Sequence, residues 1–388
     1  MHFFKIFAIM PLFTAQRKWA EMQTRGEFER AKETLDALVR ALQELPHAHT
    51  ALVSVRHALG SSAHELDAEV SLSIADKDVV LLVELKKTVY PRDVRQILWQ
   101  LNHARNEYAT NRKQDVVALI AAESISVGAR DLLRAENVGF FDRGGSLFVP
   151  AKGAYLYVER PVPKTLEKSI RSLFTGKRSQ VLHALLVRHR HWVGVTELSK
   201  MAEVSPGTAS ETLTALEQME WVSTRGQGPA KERCLADPSG LLDEWQTQVQ
   251  TSRRSLTRRR YYVPGTDADT LAHRLASLCD ATGVEYVLTQ DAAAQHYAPF
   301  LSSISRVACR VAPGKAAGDV LANLEARVVT EGANLDIIET VSRSEFLFKE
   351  QKERLWLASP VQVYLDLLRN EGRSRDMADH LRKEVLGI

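Results

Sequence analysis

Two carboxylates and an ammonium, Asp67, Glu84 and Lys86, stand within one strongly patterned stretch, Asp67 to Lys87. Side chains alternate across an extended strand, so Glu84 and Lys86 leave the backbone on the same face, about 6–7 Å apart. If the preceding segment pairs back as a hairpin, Asp67 and Glu69 can lie alongside them. Acids and a lysine at the end of a buried strand are costly unless something binds there. Oxygen-rich carboxylate sites suit Mg²⁺, and such a metal can activate water against a phosphodiester while the lysine steadies developing charge. The plainer alternative is an ordinary ion pair at a solvated strand end.

The elements that must position these groups are legible on both sides of them. Val70, Leu72 and Ile74 alternate with polar residues, as in a half-buried strand, and Asp76-Lys77-Asp78 makes a polar turn. Val79 to Lys86 is nearly all apolar, as a central strand covered on both faces would be. Upstream, residues 14–45 read as helical with a break at Gly26, and Phe28, Ala31, Leu35, Leu38, Val39 and Leu42 form the apolar stripe. Residues 51–59 read as a first strand; His47, His49, His57 and His64 lie nearby without tight metal-ligand spacing. Downstream, Pro91-Arg92-Asp93 opens a helix over 92–108. A strand follows at 115–122, a helix at 127–136, and a hairpin of 138–142 with 147–149 around Gly144-Gly145. Such alternation predicts a mixed α/β sheet covered by helices.

The arrangement resembles the PD-(D/E)xK nuclease-like superfamily, with Asp67 as the first acid and Glu84-x-Lys86 as the second half. A glutamine on the following helix often supports the active site in that superfamily, which would give the role to Gln96 or Gln100. A wider resemblance rests on Val83-Glu84-Leu85-Lys86-Lys87 with Pro91-Arg92-Asp93-Val94, on Val138 to Gly145, on Tyr157-Val158-Glu159-Arg160-Pro161 and on Ser359 to Leu367. These segments are similar to the AbiEi-like antitoxins or transcriptional regulators of bacteria. That resemblance implies a nuclease-like domain, a winged helix and a C-terminal domain, and with them a cognate toxin or self-association. The chain departs from the family pattern at Gly145-Ser146, where Gly-Asn is expected.

From Ser179 the pattern is three helices and a hairpin. Val181, Leu182, Leu185 and Leu186 mark the first buried face, and Val195, Leu198 and Met201-Ala202 the second. Ser205-Pro206 supplies a hydroxyl cap and a proline at the first turn of the third helix. That helix buries Ala209, Leu213, Leu216 and Met219 and leaves Ser210, Glu211, Thr214 and Gln218 outward. Trp221 to Thr224, the tip Gly226-Gln227-Gly228-Pro229 and 231–235 complete a wing. This is the winged helix-turn-helix plan, whose third helix enters the DNA major groove. Ser205, Thr208, Ser210, Glu211 and Thr214 are the candidates for base edges or phosphates, and Glu211 can instead close a capping box with Thr208. Arg225, Lys231 and Arg233 on the wing are candidates for phosphate. Beyond a short helix at 241–250 come Arg253, Arg254, Arg258, Arg259 and Arg260, followed by Tyr261 and Tyr262. These suit phosphate contact and base stacking, or else a solvated basic linker.

Charge supports the same placement. Lysines and arginines against acids number 19 and 19 for residues 1–149, 18 and 11 for 150–262, and 14 and 18 for 263–388. The middle third, at +7, is where a polyanion would bind. Cys234, Cys279 and Cys309 show no disulfide or metal spacing, which suits a reducing cytoplasm. No apolar run reaches the roughly 18–20 residues of a membrane span, and the apolar opening Met1 to Phe13 reads as a docking segment or an over-extended start. In the last third a helix is expected at 269–281, strands at 285–289, 306–311, 334–340, 346–349 and 354–358, and a closing helix from Pro360.

The expected organisation is α/β and α+β multidomain. It comprises a restriction-endonuclease-like mixed sheet at 1–150, a linker at 151–178, a winged helix at 179–240, a basic linker helix at 241–262 and a C-terminal α/β domain at 263–388. The expected function is binding of double-stranded DNA as a regulator or antitoxin, with a nuclease-like site for Mg²⁺. The alternatives are a Mg²⁺-dependent endonuclease directed by the winged helix, and an interaction scaffold with an inactive nuclease fold.

Overall fold

The computed structural model describes residues 25–54, 57–58, 65–74, 77–111, 115–152, 154–251, 257–370 and 372–388. The opening segment Met1 to Phe13, Asp76, His64, Arg253 and Arg254 lie outside the described residues. The chain divides into two compact units, Met1–Ser169 with Gln218–Glu220, and Ile170–Glu217 with Trp221–Ile388. It is a mixed α/β multidomain protein whose described residues form two large sheets of seven strands each, one of three, and a two-stranded pair of His57–Ala58 with Glu65–Leu66. No helix among the described residues is long and apolar enough to cross a membrane.

In the first unit, helix α1 (Arg25–Gln43) precedes strands β1 (Ala48–Ser54), β2 (Ala68–Ile74) and β3 (Lys77–Val89). Helix α2 (Pro91–Asn111), strand β4 (Asp115–Ile125), helix α3 (Val127–Ala135) and strands β5 (Gly139–Asp142), β6 (Leu147–Ala151) and β7 (Ala154–Val158) follow. The seven strands lie side by side in chain order. β1, β2 and β3 pair antiparallel, β3, β4 and β5 parallel through α2 and α3, and β5, β6 and β7 antiparallel again. Parallel neighbours need a crossover, and the two amphipathic helices supply it.

Alternation along the central strands builds two cores. Val79, Leu81 and Val83 of β3 face one way, with Val117 and Leu119 of β4, and meet Leu35, Leu38 and Leu42 of α1. Val80 and Leu82, with Ala118 and Ile120, face the other way onto Val94, Ile97 and Leu101 of α2 and Ala129 and Leu133 of α3. The described part of α1 runs from Arg25 and includes Gly26, and the rest of the helix expected at 14–45 before it lies outside the described residues. The expected linker at 151–178 differs, because its first part is β7. Tyr155 to Val158 form a short aromatic and aliphatic run, and Pro and Lys composition around it outweighed that run.

The second unit opens with helix α4 (Lys164–Leu173, which begins in the first) and helix α5 (Gly176–Val187). Strand β8 (Val193–Gly194), helices α6 (Val195–Met201) and α7 (Pro206–Gln218), strands β9 (Val222–Arg225) and β10 (Glu232–Leu235), and helix α8 (Pro238–Thr251) follow. The small sheet has the order β8-β10-β9, all antiparallel. Gly226 turns the β9–β10 hairpin at φ +73, where a Cβ would stand 2.5 Å from the Ala230 carbonyl oxygen, so only glycine fits.

Next comes β11 (Arg258–Tyr262), where the basic run was expected as a linker. It is a strand inside the second large sheet, because Tyr261 is buried and Arg258 reaches the buried Asp336. After it come α9 (Ala268–Thr282), β12 (Tyr286–Thr289), α10 (Gln290–Tyr297), β13 (Val307–Val311), α11 (Lys315–Asn323), β14 (Arg327–Val328) and β15 (Leu335–Glu339). The chain closes with β16 (Glu350–Lys352), β17 (Leu355–Leu357), α12 (Pro360–Leu367) and α13 (Arg373–Leu381). The strand order is β14-β11-β15-β13-β12-β17-β16. One continuous apolar cluster runs from Leu173 through Trp245 to Leu381, so the small sheet, its helices and the large sheet share a core.

His183 of α5 sits in that core, 1% exposed, bonded through Nε2 to Ser359 Oγ and packed on Phe348 and Trp245. Burial pushes its pKa from 6.5 down to about 4, against a weaker upward pull from a bond with the Ser344 backbone. The unfolded chain therefore takes up a proton that the native ring refuses. Stability is expected to fall by about 3 kcal/mol as pH drops from 6.5 to about 4. His183→Gln should remove most of that slope; urea midpoints measured across this window for both proteins check it.

Candidate functional site

The acid–lysine cluster lies where β2 begins against β3. Ala68 pairs with Val83, which sets Asp67 across from Glu84. The Asp67 amide donates to the Val83 carbonyl (3.1 Å), and its Oδ2 accepts from the Leu85 amide (2.8 Å). Because Ala68 and Val70 belong to the α1-side core, Glu69 points to the α2 side, the face that Glu84 and Lys86 also share, while Asp67, just before the strand, stays close enough for its charge to act on Lys86. Lys86 Nζ stands 2.8 Å from Glu84 Oε1. Burial draws the Lys86 pKa down, but Glu84, Asp67 and Asp93 outweigh it, so the ammonium is held above its ordinary value. Lys86 thus stays charged at neutral pH.

Helix α2 borders this cluster. Pro91 sits at its first position and Asp93 Oδ2 accepts from the Tyr90 amide (2.9 Å), which caps the start and aims an acid toward Lys86. Glu69 is buried and bonded to the Tyr108 hydroxyl of α2 (2.5 Å), so it serves the sheet–helix seam. Gln96 and Gln100 are both exposed. The structure therefore brings Asp67, Glu84 and Lys86 together and leaves Gln100 on the solvent face of α2. Among the described residues no group of three or more His, Cys, Asp or Glu side chains is arranged to hold a metal ion. Two carboxylates beside one ammonium are still an oxygen donor set that suits a hard dication such as Mg²⁺.

The Gly144-Gly145-Ser146 turn has a structural task. Ser146 Oγ accepts from the Arg160 amide (3.0 Å) and donates to the Arg160 carbonyl (3.1 Å), while buried Asp142 pairs with Arg130 (2.6 Å). Burial raises the Asp142 pKa, and the Arg130 guanidinium only partly opposes this.

The second constellation lies on α7 and the β9–β10 wing. Ser205 Oγ accepts from the Thr208 amide (3.1 Å) and meets the Thr208 hydroxyl (2.9 Å), so this pair caps the helix. Glu211 and Thr214 are exposed and Ser210 is half-buried; Thr214 donates back to the Ser210 carbonyl (2.9 Å). Glu211 does not close the capping box with Thr208; its carboxylate lies 3.5 Å from Arg178 of α5.

The wing cations are not alike. Arg225 is exposed, 2.7 Å from Glu232 and 4.6 Å over the Trp192 ring. Arg233, expected as a surface phosphate contact, is 6% exposed, and its Nε holds Glu217 Oε1 at 2.8 Å. Lys231 Nζ binds the other oxygen of the same carboxylate at 2.8 Å. Glu217 thus fastens the wing to α7, and sequence reasoning missed it. The signal was available: Glu217 falls four residues after Leu213, on the buried stripe, where a charge implies a buried partner. Arg258 is likewise engaged by Asp336, while Arg259 and Arg260 are exposed. If this unit binds a polyanion as its charge leads one to expect, Glu217→Gln removes a negative charge from it, yet should weaken duplex DNA binding about tenfold by freeing the wing. Titration of labelled duplex by both proteins checks this.

Compared with known proteins, the chain matches no family model, no curated protein and no solved structure.

Proposed function

We propose that the chain is a double-stranded DNA-binding protein of the regulator or antitoxin type, of the kind that its resemblance to AbiEi-like proteins implies. The carrying observation is the α5–α6–α7 block with its β8-β10-β9 sheet, which supports a winged helix-turn-helix. Polar Ser210, Glu211 and Thr214 line the outer side of α7, and the exposed 223–230 hairpin stands beside it. On this reading α7 enters the major groove, Arg225 and Arg178 meet phosphates, and Glu217 holds the wing in register. Ser210→Ala should change preference among DNA sites by about 1–3 kcal/mol. Selection of preferred duplexes from a random pool, run on both proteins, tests it; identical sites with identical discrimination would remove Ser210 from base reading.

A second reading has its own observation, the proximity of Asp67, Glu84 and Lys86. It makes the first unit a nuclease-like domain, with Asp67 and Glu84 as the residues that would hold Mg²⁺. A bound Mg²⁺ supplies a Lewis acid beside the scissile phosphodiester. The charged Lys86 then stabilises negative charge on the phosphoryl oxygens, and the Leu85 amide fixes the Asp67 carboxylate in position. Incubation of the full chain with supercoiled plasmid, with Mg²⁺ or with EDTA, tests this reading: nicking with the metal alone supports it.

A further inference from the structure

The side of the second large sheet that carries α9 and α11 encloses a cavity of about 160 Å³. Its walls are Leu275 and Cys279 of α9, Val311 of β13, Val320 and Leu321 of α11 and Ile337 of β15. Burial pushes the Cys279 thiol up to about 12, so it is a neutral, apolar part of the wall. Arg259 of β11 and Glu339 of β15 also line the cavity, and there the character changes. Their charged groups lie 3.7 Å apart and reach solvent, 57% and 35% exposed.

The lining chemistry selects a ligand. A dry cavity near 150 Å³ accepts a guest the size of benzene, so a compact branched or aromatic group fits. A bare hydrocarbon would leave the ion pair unused. A plain carboxylic acid would face Glu339, and a plain amine would face Arg259. We propose that this cavity binds a free α-amino acid with an aliphatic or aromatic side chain. The side chain fills the apolar space, the carboxylate takes the Arg259 guanidinium and the ammonium takes Glu339. Arg259 then serves a ligand at the mouth of the cavity, a role separate from phosphate contact. The site stands apart from the DNA-binding reading, because its residues are on α9, α11 and the large sheet.

Calorimetric titration of the full chain with L-leucine, L-phenylalanine, glycine, 4-methylpentanoate and isopentylamine tests it. Saturable binding is expected for leucine or phenylalanine, with glycine, the acid and the amine each weaker by about tenfold or more. Arg259→Gln and Glu339→Gln should each weaken the amino acid by about tenfold, and Ala317→Leu, on the α11 wall of the cavity, should abolish binding by filling the space. Thermal unfolding of each ligand-free variant must match the parent, which separates lost binding from lost folding. No saturable binding of any apolar amino acid at millimolar concentration would overturn the proposal. So would equal binding of 4-methylpentanoate and leucine, or binding unchanged in both charge variants.

Discussion

Asp366→Asn is expected to cost about 3 kcal/mol of stability, because it takes from a buried guanidinium its bidentate counter-charge and leaves only Glu345, 3.7 Å away. Arg310, 2% exposed, donates to both Asp366 oxygens, from Nε (2.8 Å) and from the terminal nitrogen Nη2 (2.6 Å). Thr289 (2.6 Å) and Gln362 (3.0 Å) donate to the same carboxylate, and Thr340 Oγ accepts from Arg310 (3.1 Å). The network ties β12, β13 and the end of β15 to α12. Burial alone would raise the Asp366 pKa, but Arg310 and Thr289 outweigh it and hold it below the ordinary 3.8. A depressed carboxylate contributes its stability above the unfolded value and loses it as pH falls through the folded one, so the pair is fully formed at neutral pH. Urea unfolding reads the loss as a lower midpoint at unchanged slope. The paired replacement Arg310→Met with Asp366→Leu should cost far less than either single change, since it removes both desolvation penalties together. A single Asp366→Asn cost below about 1 kcal/mol would mean that water already reaches the pair.

The second large effect concerns Lys86. On the nuclease reading, Lys86→Ala should lower Mg²⁺-dependent cleavage by about 10²–10³-fold, the range for losing one preorganised group that stabilises transition-state charge. Glu84→Gln should lower cleavage and metal binding together, whereas Lys86→Ala should leave metal binding intact. Plasmid cleavage followed alongside Mn²⁺ titration separates the two variants. Equal losses of metal binding in both would make Lys86 a structural partner of Glu84 and nothing more.

What could be read from the chain followed the strength of local patterning. The β2–β3 hairpin and α2 were legible because alternation and helical spacing were unbroken there and each end carried its own signal. Proximity of Asp67 to Glu84 followed from that hairpin alone. β7 and β11 were missed for a common reason. Tyr155 to Val158 and Arg258 to Tyr262 are short, and lysine, proline or arginine around them gives the composition of a linker. Only pairing with distant strands, Leu147–Ala151 for one and Leu335–Glu339 for the other, makes them sheet. Of the β16–β17 hairpin, the strand expected at 354–358 is β17, whereas the one expected at 346–349 lies later, at Glu350–Lys352. The turn residues Glu353 and Arg354 take φ of 50 and 65, a conformation usually signalled by Asn-Gly. Arg233 was misplaced because a wing arginine looks exposed until its buried partner Glu217 is known.

The DNA-binding claim is tested most directly by fluorescence anisotropy of the full chain with a labelled duplex as salt is raised. Binding at low salt is expected, with an affinity that falls linearly on logarithmic axes as phosphate-bound counterions are released. Ser210→Glu with Thr214→Glu should weaken it about tenfold or more by placing two charges against the groove, while Glu84→Gln should leave it unchanged. An absence of binding at low salt, or binding untouched by the paired α7 substitutions, would contradict the account.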